Sequence, residues 1–507
     1  MDPKPNPKPI SNIIRPVGSA AQFNTSRHNL GLCRSVINTC YYTVSTSCLE
    51  QHALESVIEN ALARVMIQHG ILCVGIAGED TNAPAFVHLK TIDLRRMIEW
   101  KEMLVSIPNV ENDTGSPSSQ WDGLLLRSLE KCHEPLWEDL DQKPGWKIII
   151  HHDPRQLAPD GSQSTVIALD ISFAFHHAYA DGKSAYIFHE SLLRALNDPP
   201  STTPPPSLQA HTLHLARPPV IPPPLENLIP FTLSWPYLLR TLFQALIWDP
   251  LIPSWLKPAP HLPWTGSLID PSQPRCHLRL LSLPPRRLAA LLARCRAHDA
   301  TLTGLLHALL LASLSARVPA PRFAGTTPVS LAPYAAPFEG MHCLFTGHDT
   351  AFDAASPSSA LVWTQAARVT AQLRARAAAL PRDDVMALMG YVSDWGKFHT
   401  DRFGGPRAHT WEVSNVGSAR FGREGGWRIG RAVFTQGANP LGAALKVNVA
   451  GVVGEAGGVW ITVGWQEGAV PAEVAEGVVE DLGKWIDVEG EGGMLGLGED
   501  EKEKGGL

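Results

Sequence analysis

The sequence predicts an α/β protein of two domains, and three observations carry that reading. Its 507 residues exceed what one hydrophobic core usually organises. In both halves, runs of apolar and β-branched residues alternate with runs whose apolar residues recur at three- and four-residue steps. Between the halves, Pro199 to Pro274 is proline-rich, with Pro-Pro-Pro at 204–206 and again at 222–224, which reads as an extended crossover. The expected division is 1–12 as a disordered amino terminus, 13–198 as the first domain, 199–275 as a crossover with an apolar helix, 276–487 as the second domain and 488–507 as a disordered acidic, glycine-rich tail.

The elements follow in order. Ser47-Cys48-Leu49-Glu50 fits a capping box, and Leu54, Val57, Ile58, Ala61, Leu62 and Val65 continue a helix that Gly70 stops. Ile71 to Ile76 reads as a strand, and the polar region after it as loop up to a short strand at Trp146 to His151. Ser164 to Phe175 is a buried strand by composition, and Lys183 to Leu196 has helical spacing. Phe231 to Leu256 is strongly apolar but broken by Pro236, Arg240, Asp249 and Pro250, so it cannot span a bilayer as one helix. It reads either as a helix packed over the domain junction or as an amphipathic surface that meets a membrane or lines a substrate entry. In the second half, a strand at His277 to Leu283 precedes helices from Pro284 to His298 and from Thr301 to Arg317. Leu445 to Val453 and Val459 to Trp465 form a hairpin, and Pro471 to Ile486 supplies a last helix.

Composition excludes several classes. A net charge of -6 with scattered Lys and Arg offers no field for nucleic acid. Eight cysteines without a CxxC pair argue against a zinc knuckle or a disulfide framework, and read as reduced thiols of a cytoplasmic protein. The amino terminus lacks an apolar leader core, and no uninterrupted apolar run reaches the roughly eighteen residues of a membrane span. Association with an endoplasmic reticulum or lipid-droplet surface would have to come through the apolar segment at 231–256. No Gly-x-Ser-x-Gly elbow, P-loop or GxGxxG fingerprint occurs.

The chemistry concentrates at Phe175-His176-His177-Ala178-Tyr179-Ala180-Asp181-Gly182, where a strand gives way to a turn and then a helix. A neutral imidazole there can take the proton of a hydroxyl as its oxygen attacks a carbonyl. Asp181 could fix a histidine tautomer, or simply cap the helix that starts beside it. His151-His152-Asp153 resembles a metal cluster, but neighbours on a strand point to opposite faces, so a solvated strand end is the expectation, with no metal. His307, on an apolar helix, reads as a hydrogen-bonded core residue. Ser414-Asn415-Val416-Gly417 is a polar strand-to-turn element that could donate to an oxyanion, or serve only as a turn.

The octet contains HHxxxDG, and with it the chain resembles the CoA-dependent acyltransferase superfamily of chloramphenicol acetyltransferase, plant BAHD enzymes and condensation domains. Further segments are similar to the fungal alcohol acetyltransferase family: Arg15-Pro16-Val17-Gly18-Ser19, Asn29-Leu30-Gly31, Pro263-Trp264-Thr265-Gly266, Ser414-Asn415-Val416-Gly417 and Trp465-Gln466-Glu467. The resemblance implies two chloramphenicol-acetyltransferase-like domains, each a mixed sheet covered by helices, with the active-site channel between them. It implies a monomeric O-acetyltransferase in which His177 is the base for direct attack of an alcohol on acetyl-CoA, a co-substrate rather than a resident cofactor. His176 then shapes the turn, Asp181 and Gly182 support it, and Ser414 and Asn415 lie near the oxyanion. Relatives pair the aspartate with an arginine, which the segment Pro328 to Pro333 of this chain lacks. The acceptor is expected to be a hydrophobic alcohol or a hydroxylated metabolite. Condensation-type amide transfer and a non-catalytic binding module are the alternatives.

Overall fold

The strand that carries the histidines, Val166–Phe175, is apolar on both faces and lies at the centre of a five-stranded sheet. The computed structural model describes residues 12–46, 53–104, 117–156, 166–198, 205–244, 262–338, 340–422, 425–454 and 457–490. The sheet order is Trp427–Gln436, Val36–Ser45, Val166–Phe175, Trp146–His152 and Ile98–Glu102, antiparallel except for the last pair. Helices Leu54–Gln68 and Gly182–Asn197 bury their apolar faces on one side of it, in a core that includes Ile58, Phe173 and Phe188. Continuous burial of the strand's two faces is what a near-unbroken apolar run requires.

The second sheet has six strands, ordered Cys276–Leu283, Gly458–Gln466, Ala443–Val452, His409–Ala419, Arg322–Ser330 and Phe345–Asp353. It is mixed: His409–Ala419 runs parallel to both its neighbours, and the remaining pairs are antiparallel. Helices Pro285–Ala297, Leu302–Arg317, Ser359–Ala379 and Ala472–Gly490 surround its core, which includes Leu306, Leu310, Trp411 and Val447. Thr301 caps its helix, and the expected hairpin forms. These are the two helix-covered mixed sheets that the sequence leads one to expect.

Several expectations need correction. Ile71 to Ile76 is not one strand: Gly70–Cys73 is a 3₁₀ turn and only Val74–Ala77 is extended. The stretch read as loop before Trp146 contains strands Ala85–His88, Thr91–Asp93 and Ile98–Glu102 and the helix Pro117–Cys132. His151 and His152 are buried rather than solvated, with Ser128 Oγ at 2.8 Å from His151 Nε2. The crossover also contributes sheet structure, since Thr212–His214 pairs with Thr91–Asp93. The capping box at 47–50 and nearly all of both terminal stretches lie outside the described residues.

A further difference concerns how the halves join. Trp427–Gln436, within the stretch assigned to the second domain, pairs along its length with Val36–Ser45 and completes the first sheet. The cause is electrostatic as well as apolar. Asp170, fully buried in the apolar strand, accepts from Arg431 Nη2 at 2.8 Å and from Trp121 Nε1 at 2.7 Å, so the arginine that neutralises it must come with its strand. Burial opposes the charge on Arg431, but Asp170 and Asp122 raise its pKa above the ordinary value. Of the apolar segment, the described helix Trp235–Phe243 has no fully buried residue, and Trp235 is 73% exposed, while residues 245–256 lie outside the described residues. Among the described residues no single helix is long and apolar enough to cross a membrane.

Candidate active site

Beyond Phe175 the chain folds back at once. Tyr179 N donates to His176 O at 3.0 Å, and His176 N donates to Gly145 O at 2.8 Å. Asp181 then caps the helix Gly182–Asn197, its Oδ1 accepting from Ser184 N at 2.8 Å. Its other oxygen accepts from Leu344 N at 3.0 Å, and its own N–H donates to His342 O at 3.2 Å. Asp181 therefore ties the turn to residues 342–344, which lead into the second sheet. Among the described residues no arginine pairs with it; the His342 ring, its Nδ1 3.8 Å away, is the nearest basic group recorded. Burial pushes the Asp181 carboxyl up, but His342 and the two backbone N–H groups together hold it below the usual value.

His177 stands on the inner side of this turn. Its Nδ1 lies 3.0 Å from Ala180 O. A carbonyl only accepts, so Nδ1 carries the proton and Nε2 keeps its lone pair. The ring stacks on Phe345 of the second sheet, centroids 5.2 Å apart and planes 24° apart. Burial, with Arg27 nearby, lowers its pKa from the ordinary histidine value and favours the neutral ring at neutral pH. It lines a cavity of about 120 Å³ between the sheets, together with Gly182, Phe345, Glu412, Ser414 and Gln436.

Gly182 allows the two sheets to meet there. A Cβ at this position would stand 2.4 Å from Val416 Cγ1, so any other residue would wedge the helix start off the strand His409–Ala419. On that strand Ser414 and Asn415 both line the cavity, just before a β-bulge between Asn415 and Gly417. The Ser414 hydroxyl has no partner among the described residues. The Asn415 amide instead donates to Thr303 Oγ1 at 3.1 Å, and its Oδ1 accepts from Gly417 N at 2.9 Å. The side chain of Asn415 thus holds the strand against the helix Leu302–Arg317.

His176 points away from the cavity and is 1% exposed. Its Nδ1 accepts from Ala178 N at 2.9 Å, so its proton is on Nε2, which donates to Glu79 Oε1 at 2.9 Å. His28 mirrors it, with Nε2 accepting from Trp137 N and Nδ1 donating to Glu79, both at 3.0 Å. The ligand atoms of these three residues lie within 4.8 Å of one another, as in a metal site. The two backbone donors, however, commit both ring protons to the carboxylate, where a metal would need lone pairs. The trio is a clamp under the turn, and nothing in the sequence beyond the identity of the residues links positions 28, 79 and 176. His307 is a core residue: its Nδ1 accepts from Trp411 Nε1 at 2.8 Å, and its Nε2 lies 2.7 Å from Thr327 Oγ1.

Several known proteins are similar to this chain. Residues 29–322 match the family model described as alcohol acetyltransferase. The probable alcohol acetyltransferase FCK4 of Fusarium pseudograminearum is 31% identical over 96% of this chain and 97% of its own length. Among solved structures, the TRI3 trichothecene 15-O-acetyltransferase from Fusarium sporotrichioides superposes with a TM-score of 0.63 at 11% identity, covering 94% of each chain. The first condensation domain of the calcium-dependent antibiotic synthetase superposes with a TM-score of 0.54 at 13% identity, over 95% of this chain and 97% of its own. At these identities the two structures establish the fold.

Proposed function

The chain belongs to the alcohol acetyltransferase family and is an O-acetyltransferase; on that premise we propose that His177 is its general base and that acetyl-CoA is its acyl donor. The observation that carries the proposal is the fixed tautomer: Nδ1–H bound to Ala180 O leaves the Nε2 lone pair for a substrate in the inter-sheet cavity. An alcohol held there gives its proton to Nε2 as its oxygen attacks the thioester carbonyl. The tetrahedral oxyanion collapses to ester and CoA thiolate, and the imidazolium returns the proton to the departing sulfur. Ser414 Oγ is the side-chain donor we assign to the oxyanion, a contact commonly worth about 2.7–4 kcal/mol in related chemistry.

In this reading Asp181 acts through structure, as cap and tie, and His176 and Gly182 shape the turn. Asn415 supports the strand that presents Ser414. The enzyme works as a cytoplasmic monomer; the seven described cysteines are free thiols, as a reducing compartment would keep them. The exposed apolar helix Trp235–Phe243 is the surface that would touch a membrane. The acceptor is a hydroxylated small molecule or metabolite. Thiol release from acetyl-CoA with a panel of alcohols, followed by detection of the ester, tests the reading. Turnover in wild type that is lost in His177→Ala supports it, and equal turnover in both removes His177 as base.

A further inference from the structure

The cavity that His177 lines is not wholly apolar. Glu412, two residues before Ser414 on the same strand, shares its face and lines the same cavity. Its Oε1 accepts from Gln436 Nε2 at 2.7 Å, and that nitrogen also donates to Asn448 Oδ1 at 2.9 Å. Asn448 in turn donates to Thr462 Oγ1 at 3.3 Å, and Thr462 to Phe434 O at 2.6 Å. All the donors of this chain point into the protein. They fix Glu412 and Gln436 in place and leave Glu412 Oε2 and Gln436 Oε1, which have no partner among the described residues, as acceptors at the cavity. Lys446 is opposite Glu412 in the parallel register, but its Nζ donates to Gly437 O at 2.6 Å.

We propose that Glu412, held by Gln436, recognises the acceptor, and that this acceptor carries a second hydrogen-bond donor, an N–H or a further O–H, at a distance from the hydroxyl that reacts. The inference rests on the acetyltransferase reading and narrows its substrate class. A carboxylate oxygen with no donor in a partly desolvated cavity selects a ligand that supplies one, and a plain alkanol leaves it unmet.

The test compares butanol, hexanol and octanol with their ω-amino and ω-hydroxy counterparts, with acetyl-CoA as donor, quantifying the ester formed. Wild type is expected to favour at least one donor-bearing alcohol over its matched alkanol by about tenfold or more in kcat/KM. Glu412→Gln should bring the ω-amino preference close to unity, whereas Glu412→Asp, which keeps the charge, should retain part of it. Matched alcohols turning over equally in wild type, or a preference that survives unchanged in Glu412→Gln, overturns the proposal. Thermal stabilisation by the same alcohols is read in parallel. If no alcohol releases thiol, the acetyl-transfer reading fails; the Glu412 assignment then stands only if ω-amino alcohols stabilise wild type and not Glu412→Gln, and falls otherwise.

Discussion

Glu79 and His176 are joined by a 2.9 Å hydrogen bond directly behind the turn that presents His177. Burial lowers the pKa of His176 from 6.5 to about 4, and Glu79 is drawn from 4.5 to about 2 by His176 and His28 against the effect of its own burial. Both shifts make the folded state bind fewer protons than the unfolded chain, so stability is complete above about pH 6.5 and falls with acid. The His176 contribution is lost between pH 6.5 and about 4, and that of Glu79 between about 4.5 and 2.

Glu79→Gln is accordingly expected to lower stability by about 1–3 kcal/mol at neutral pH, because the amide loses the charge that strengthens both bonds and puts an NH2 group, a donor, where a carboxylate oxygen accepted beside the two ring N–H groups. Its stability should also lose the part of the pH dependence that lies below about 4.5. Denaturation midpoints of wild type and variant across pH 3 to 8 check both statements. Identical profiles would show that the carboxylate bears no charge-dependent load.

Gly182→Ala should cost about 1–3 kcal/mol, since its Cβ would overlap Val416 Cγ1 at 2.4 Å. Val416→Ala in the same chain removes the overlap and should restore most of the loss and the associated activity. Chemical denaturation of the two single variants and the double variant reads the coupling. Additive losses would show that the two residues do not press on one another.

Arg431→Met leaves Asp170 buried with Trp121 as its remaining recorded hydrogen-bond donor, and is expected to cost about 3–5 kcal/mol. Replacing both members, as Asp170→Leu with Arg431→Met, should be markedly less destabilising than the single change. The comparison of unfolding midpoints decides whether this pair holds the crossing strand in the first sheet.

Legibility in the sequence tracks the range of the interactions. The strand, turn and helix around His177 are local, set by a dense apolar run and by a cap three residues from its partner Ser184, and they could be read directly. Asp170 sits in that run and passed unmarked in a stretch read as apolar, and with 43 Lys and Arg residues in the chain the sequence offers no means of choosing Arg431 as its partner. The strand Trp427–Gln436 was missed for the same reason, since its burial depends on a partner nearly four hundred residues earlier in the chain. Ser414 and Asn415 were both visible as polar and both line the cavity, but that Asn415 is tied to Thr303 while the Ser414 hydroxyl stays free depends on a helix 112 residues away. His28 and Glu79 gave no sign of converging on His176, because their bonds join three separate elements.

The central claim is that the neutral His177 ring takes the acceptor's proton, and the pH dependence of acetyl transfer tests it most directly. Burial and Arg27 lower the His177 pKa, so kcat/KM in wild type should rise with pH to a plateau through an inflection below the ordinary histidine value of about 6.5. His177→Ala should abolish that limb and reduce the rate by about 10²–10⁴ while acetyl-CoA still binds. A variant that keeps both the limb and the rate of wild type would contradict the account.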